Sequence, residues 1–263
     1  MRNTLTVDGV DLSTYGIYIS GQGVFKSPAK EIVQFDVPGH DGTVIGKSSR
    51  LLNLDVTYPA FIYSNFRTNL RSLRSFLLSR EGYVKISDSY NSDEFRLGMF
   101  VNEIAPDVTL KNDAGKFDLV FNCKPQRYLT SGETQTTVTA STTFTNPSPF
   151  IAKPIIRVYN PYGGGKITFT DPNTGWRRVI KIDSGISSSI LYIDIDCETQ
   201  QTYYPGGGYI NYNKYVSFYR AANGSLVEFY DIDAPGFLPG TNTITFSGTN
   251  IDYIIVTPRW WMT

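Results

Sequence analysis

Histidine is almost missing from this 263-residue chain and cysteine is scarce: His40 is the sole histidine, and Cys123 and Cys197 are the two cysteines. A Ser-His-Asp or Cys-His catalytic pair would have to use His40, which sits in Val37-Pro-Gly-His-Asp-Gly-Thr43, a run of turn-forming residues. One histidine and two distant cysteines cannot make the usual nitrogen and sulfur ligand set of zinc, so no metal site is expected. The cysteines stand one in each half, without Cys-x-x-Cys spacing, which predicts buried free thiols rather than a disulfide. Long apolar runs are lacking too, so no membrane span is expected. The polar, turn-forming start MRNTLTVDGVDLS does not resemble a signal peptide, which places synthesis in a cytoplasm. Neither sign of charge dominates. Lys+Arg and Asp+Glu number 24 each, and a split at Thr130 leaves 15 basic and 14 acidic residues in front, 9 and 10 behind. A free nucleic-acid binder or a membrane-surface protein would carry a basic excess in one half.

What the chain does have is aromatic residues, with 18 Tyr and 16 Phe, and short alternating segments. Strands are predicted over residues 5–7, 32–37, 52–58, 82–86, 95–101, 117–122, 155–159, 166–170, 179–182, 190–194, 215–219 and 226–230, with turn residues between them. Residues 64–78 break the rhythm. Phe66, Leu70, Leu73 and Leu77 recur at helical spacing, so one amphipathic helix is predicted with Ser64 as its N-cap and Gly82 beyond its end. Arg67, Arg71 and Arg74 form a basic row on it. That row is either a solvated face or a surface that meets acidic residues of a neighbouring subunit. The Ser- and Thr-rich stretch 130–149 marks a boundary near residues 129–131. Two domains are therefore expected, 1–130 with the helix and 131–263.

The last twenty-five residues, PGTNTITFSGTNIDYIIVTPRWWMT, predict a terminal hairpin, residues 243–247 pairing with 251–257 across a Gly-Thr-Asn turn. Its second strand is apolar on both faces, Tyr253 and Ile255 pointing one way and Ile254 and Val256 the other, so both faces need cover. Asp194 and Asp196 lie two apart on a strand and share a face, as do Asp231 and Asp233. Such pairs can serve glycoside hydrolysis or calcium, but on an antiparallel sandwich they are the wet face. Gly163-Gly164-Gly165-Lys166 and Gly206-Gly207-Gly208 lead into strands rather than helices, so they read as loop tips and not phosphate loops. Trp176, Tyr204 and Tyr209 are the side chains best suited to stack on a sugar ring, with packing as the competing reading.

Several of these segments together resemble one family, the distal tail proteins (Dit) of long, non-contractile-tailed, siphovirus-type bacteriophages. The turn Val37-Pro-Gly-His-Asp-Gly-Thr resembles the family's PGRDG-type turn, with His40 where Arg is usual. Phe121-Asn-Cys-Lys-Pro-Gln-Arg-Tyr128 resembles the element closing the family's first domain. Asn146-Pro147 and Lys153-Pro-Ile-Ile-Arg-Val158 resemble the opening of its second. Tyr192-Ile-Asp-Ile-Asp196, Phe237-Leu-Pro-Gly-Thr-Asn-Thr-Ile244 and Thr257-Pro-Arg-Trp-Trp261 resemble later parts of that domain.

The resemblance implies a mainly β protein: an N-terminal β-domain with one amphipathic helix and a protruding hairpin, then a C-terminal galectin-like β-sandwich. It implies a homo-hexameric ring at the distal end of a virion tail, with the tail tube protein, a tail-associated fibre or lysin protein and, in some phages, receptor-binding proteins as partners. DNA would pass through the channel without specific binding. No enzyme activity and no cofactor are implied. Val37, Pro38, His40 and Asp41 of the turn, with Arg67, Arg71 and Arg74 of the helix, are the expected subunit contacts. The competing reading is an adhesion protein whose C-terminal sandwich binds host cell-wall saccharides through Trp176, Tyr204 and Tyr209.

Overall fold

The computed structural model of the protein describes residues 2–46, 50–109, 113–205, 215–217, 227–229 and 235–263. The chain divides into two compact units, Met1–Tyr128 and Leu129–Met262. It is mainly β, with one α-helix among the described residues.

The first unit contains β1 (Leu5–Val7), β2 (Val10–Asp11), β3 (Ile17–Ile19), β4 (Gln34–Asp36), β5 (Thr43–Ile45), β6 (Leu54–Ile62), α1 (Phe66–Leu78), β7 (Val84–Asp88), β8 (Glu94–Phe100), β9 (Asp107–Thr109) and β10 (Ala114–Leu129), whose last residue begins the second unit. Its main sheet runs in the order β2-β1-β7-β8-β10-β6-β3, with β9 on β10, while β4 and β5 form a separate two-stranded ribbon. Alternation sorts the faces. On β6, Leu54, Val56, Tyr58, Ala60 and Ile62 point into the core, and from α1 the stripe Phe66, Leu70, Leu73, Phe76 and Leu77 closes over them. Burial of such side chains contributes about 1.5–3 kcal/mol each and holds the helix on the sheet.

Two local features differ from the sequence reading. The helix starts at Phe66 rather than at residue 64, and its cap is Asn65 in the left-handed region (φ 52°), without a side-chain cap bond. Asparagine tolerates that conformation, and the Ser64 carbonyl instead accepts a bond from Asn69 Nδ2 at 3.0 Å. The strand expected to stop at Tyr58 runs on through Pro59 to Ile62. The Pro59 carbonyl accepts from Ser20 N–H at 2.8 Å, on the side where β3 has just ended. A strand residue directs its N–H and C=O to the same edge, so the missing N–H costs β6 nothing in its ladder with β10.

The second unit is a two-sheet sandwich. It contains β11 (Thr136–Val138), β12 (Ser141–Asn146), β13 (Ile155–Tyr159), β14 (Gly165–Thr170), β15 (Arg177–Ile182), β16 (Tyr192–Asp196), β17 (Gln201–Pro205), β18 (Tyr215–Ser217), β19 (Val227–Phe229), β20 (Gly240–Gly248), β21 (Ile254–Thr257) and β22 (Trp261–Met262). One sheet is ordered β11-β21-β13-β16-β17-β18 and the other β12-β20-β14-β15-β19. Ile156, Val158, Ile193, Ile195, Ile254 and Val256 of the first meet Ile167, Phe169, Ile180, Ile182 and Ile244 of the second in one core. Phe237 and Trp260 fill it, their ring centroids 5.3 Å apart.

The terminal hairpin is corrected. β20 pairs with β12 and β14, whereas β21 pairs with β11 and β13, so the two strands belong to opposite sheets. The Gly-Thr-Asn turn is a corner between sheets. It is tight: a Cβ on Gly248 would stand 2.7 Å from the Gly164 carbonyl oxygen. Turn residues show that the chain reverses, but which strand it then pairs with is decided by which face needs burial.

Candidate assembly surfaces

The first surface is the ribbon of β4 and β5. Its ladder begins well before the strands themselves, with Leu52 N–H on Ala29 O (2.9 Å), Glu31 N–H on Arg50 O (2.8 Å) and Gly46 N–H on Val33 O (2.7 Å). In the register Phe35 faces Val44 and Gln34 faces Ile45. Period-2 alternation therefore gathers Val33, Phe35, Val37 and Val44 on one face. All four are exposed, Phe35 at 56%. The other face carries Ile32, Gln34, Asp36, Thr43 and Ile45. The expected contact residues Val37, Pro38, His40 and Asp41 lie at the tip and are exposed, with His40 N–H closing the turn on Val37 O at 3.1 Å.

Two buried arginines fix the root of this arm. Arg96 Nη2 donates to the Lys26 carbonyl at 2.8 Å, and Arg127 Nη2 donates to the Val24 carbonyl. Arg127 also pairs with Glu94 at 2.9 Å. Burial, and then the charge of Arg127, push the Arg96 pKa below its ordinary value. Val24 is itself buried, so the chain is held at residues 24–26 and released as the arm from Ala29 onward. Arg127 lies in a segment singled out above, and its role as an anchor was not legible there.

The helix row is the second surface. Arg67, Arg71 and Arg74 are all exposed, and Arg74 Nη2 donates to the Ile104 carbonyl at 3.1 Å. The third is a groove of about 730 Å3 beside β6 and β10, lined in part by Pro59, Phe61, Tyr63, Ala105, Lys116 and Asp118. Phe61 and Tyr63 stand edge to face at 4.9 Å, and the Arg2 guanidinium lies 4.1 Å over the Tyr63 ring.

In the second unit the outer face of the six-stranded sheet encloses a pocket of about 440 Å3, floored by Ile155 and Ile255 and walled by Arg157, Asp194, Asp196 and Tyr203. Asp194 and Asp196 do share a face, but it is not simply wet. Arg157 grips Asp194 through two bonds of 2.7 and 2.8 Å. Arg259 pairs with Asp196 at 3.1 Å and with Glu198. The hydrogen bond to Asp194 raises the Arg157 pKa, and burial opposes it. Arg157, Asp194, Asp196 and Arg259 come from three separate segments quoted above, which the fold brings onto one surface. Tyr159 stacks on Tyr253 at 4.5 Å beside them.

Of the sugar-stacking candidates, the two among the described residues, Trp176 and Tyr204, lie at different sheets. Trp176 precedes β15, half-buried against the core, with the Arg178 guanidinium 4.8 Å over its ring. Tyr204 is half-buried on β17 in the other sheet. Tyr209 lies outside the described residues, as do residues 206–208 and the pair Asp231 and Asp233. Gly163 and Gly164 have positive φ (82° and 76°), and a Cβ on Gly164 would meet Ile182 O at 2.9 Å, so these glycines serve a close backbone turn. Trp260 is buried in the core and Trp261 stacks on Phe150 at 4.3 Å, which accounts for the Trp pair by packing. Both cysteines are free and buried, and burial pushes the Cys123 thiol up to about 12 and raises Cys197 as well. Among the described residues no helix is long and apolar enough to cross a membrane.

This fold, a sheet unit with one helix and a ribbon followed by a two-sheet sandwich, has counterparts among solved structures. It matches the crystal structure of the SPP1 Dit (gp 19.1) protein, described as a paradigm of the hub adsorption apparatus in phages infecting Gram-positive bacteria. The TM-score is 0.64 at 21% identity, over 97% of this chain and 98% of that one. The phage P2 baseplate in its activated conformation with Ca matches at a TM-score of 0.55 and 10% identity, over 97% and 98% of the two chains. The phage p2 baseplate with Sr gives 0.55 and 10%, over 97% of each. No protein-family model matches the sequence, and no curated protein matches it.

Proposed function

We propose that this chain is the hub of a bacteriophage tail tip. Six copies form a ring around a channel, and the ring joins the tail tube to the tail-tip fibre or receptor-binding apparatus. The observation that carries this reading is the likeness to the SPP1 hub protein over nearly the whole of both chains, both units together. The ordered segments named from the sequence support it. So does the anchored arm, because a protein that works alone has little use for an exposed apolar ribbon.

The role is structural rather than enzymatic, and its place is the distal end of the virion tail. The partners are other copies of the chain, the tail tube protein, a tail-associated fibre or lysin protein and, where the tail carries them, receptor-binding proteins. The arm tip at Val37, Pro38, His40 and Asp41 and the row Arg67, Arg71 and Arg74 are contact surfaces in this assembly. Balanced charge, 24 of each sign, suits a channel that passes DNA without holding it. The test is electron microscopy of the protein mixed with its tail tube protein. Six-fold rings capping the ends of tubes are expected, and tubes that end bare while the chain stays in solution would reject the reading.

A further inference from the structure

The five-stranded sheet of the second unit turns Ile167, Phe169 and Ile244 inward to the core. Alternation sends the positions between them outward, and those positions are hydroxylated. β20 carries Thr241, Thr243, Thr245 and Ser247 on that face, and the register sets Thr143 of β12 opposite Thr243 and Thr168 of β14 opposite Thr245. Thr168, Thr170, Thr245 and Ser247 line a groove of about 430 Å3 there. Lys166 and Arg177 line it too, both exposed, and neither pairs with a carboxylate among the described residues. Thr170 stands four residues beyond Lys166 on β14 and is opposite Arg177, so the two cations are about 13 Å apart along the strands at 3.3 Å per residue. On the other sheet Arg157 is matched by Asp194 within the chain. On this one the positive groups bracket a row of hydroxyls and no anion.

We infer that this groove binds a phosphodiester polymer built on a polyol, carried on the surface of a host cell. The inference rests on the hub reading for where the polymer is met, and on the groove alone for its chemistry. Lys166 and Arg177 supply charge-assisted bonds to phosphate oxygens. The hydroxyls of Thr168, Thr170, Thr245 and Ser247 each donate and accept. They therefore match both the phosphate oxygens and the alcohol groups of a polyol lying between two phosphates.

Other occupants fit this face less well. Protein partners are held by aromatic and arginine anchors, and serine and threonine are poor ones. A neutral saccharide would leave both cations unmatched. A single-stranded nucleic acid is bound by stacking its bases on aromatic rings. Phe246 lines the groove, but it packs against the core of its own sandwich. The groove volume falls within the roughly 300–1,000 Å3 of small-ligand sites, so it holds a short stretch of the polymer rather than a whole chain.

Titration calorimetry of the full-length protein with poly(glycerol phosphate) tests this, with inorganic polyphosphate, dextran and a thymidine oligonucleotide as the other probes. Poly(glycerol phosphate) is expected to bind, more weakly as salt rises, and dextran is expected to give no heat. Lys166→Gln with Arg177→Gln is expected to weaken binding by about tenfold or more, the loss of one charge-assisted bond. Thr168→Val with Thr245→Val keeps the shape of the groove, removes two hydroxyls and is expected to weaken binding several-fold. Both variants are expected to melt as the parent protein does. If the threonine pair melts lower, Thr245→Val alone, at a partly exposed position, carries the same expectation. Polyphosphate held as tightly as poly(glycerol phosphate), with the threonine substitutions silent, overturns the inference, because charge alone would then explain the binding. Tighter binding of the oligonucleotide or of dextran also overturns it. A protein that forms rings and holds none of the probes overturns the inference and leaves the hub reading standing. A protein that binds poly(glycerol phosphate) as described, yet forms no ring with its tail tube protein, supports the groove and overturns the hub reading.

Discussion

The arm of the first unit and the outer face of the six-stranded sheet in the second are both open strand surfaces, but they are completed in opposite ways. On the sheet face every charge named above has a partner in its own chain: Arg157 with Asp194, Arg259 with Asp196 and Glu198. On the arm Phe35 and Ile45 are 56% and 69% exposed, with no cover among the described residues of the unit. The sheet face is self-sufficient, and paired charges on it serve the stability of its own sandwich. The arm leaves its apolar side chains exposed, and on the proposed function another chain covers them. Exposed surface alone does not mark an interface. The distinction is whether the groups on it are already satisfied.

Substitutions test this contrast. The largest loss of stability is expected for Trp260→Ala, which empties a core position beside Phe237. It should cost about 3–5 kcal/mol in denaturant unfolding. Arg127→Ala comes next at about 3 kcal/mol, because it strips Glu94 of its partner and the Val24 carbonyl of its donor at a buried site. It should also loosen the root of the arm, read as faster amide exchange at residues 24–26.

Alkaline unfolding should have a smaller, graded effect. Cys123 is raised from 9.0 to about 12 by burial, and Cys197 moves the same way. A raised folded-state pKa means that the unfolded chain loses its protons first. Stability is then constant below pH 9 with respect to these thiols and declines above it, by about 1.4 kcal/mol per pH unit for each. Cys123→Ala should flatten the slope measured between pH 9 and 11.

Arg157→Ala should cost about 1–2 kcal/mol, because the pair is bidentate but partly exposed. A double-mutant cycle with Asp194→Ala should return a coupling of about 1 kcal/mol. A coupling near zero would mean that the sheet face is not self-sufficient and would erase the contrast with the arm. Phe35→Ala should move the unfolding free energy of the single chain by less than about 0.5 kcal/mol, against several for Trp260. That pair of aromatic residues, one costly to lose for folding and the other for assembly, is the comparison at its sharpest.

Much of this architecture is legible in the sequence, and its failures are instructive. The helical stripe from Phe66 to Leu77 and the alternation of β13, β16 and β21 report which residues share a face, and the structure keeps those faces. Alternation does not say which strand lies alongside. For that reason residues 243–257 read as a hairpin although the Gly-Thr-Asn turn carries the chain from one sheet to the other. Nor does it say which apolar face finds a cover. Val33, Phe35 and Val37 alternate as cleanly as Leu54, Val56 and Tyr58, yet the first set is exposed and the second buried. The ion pairs were hidden for another reason. Arg157 and Asp194 are 37 residues apart and Arg259 and Asp196 are 63 apart, so their meeting depends on the sandwich topology. Buried anchors such as Arg96 and Arg127 leave no local pattern, because an arginine in a strand looks solvated until its neighbours are placed.

On the proposed function, the chain assembles into a ring of its own copies. The mass of particles formed by the full-length protein across a range of concentrations, read together with electron micrographs, tests it most directly. The account predicts single chains of 29.5 kDa and ring-shaped particles of about 180 kDa, six chains, with little between them. Phe35→Asp should shift the balance to the single chain. A protein that remains at 29.5 kDa throughout, alone and with its tail tube protein, would contradict it.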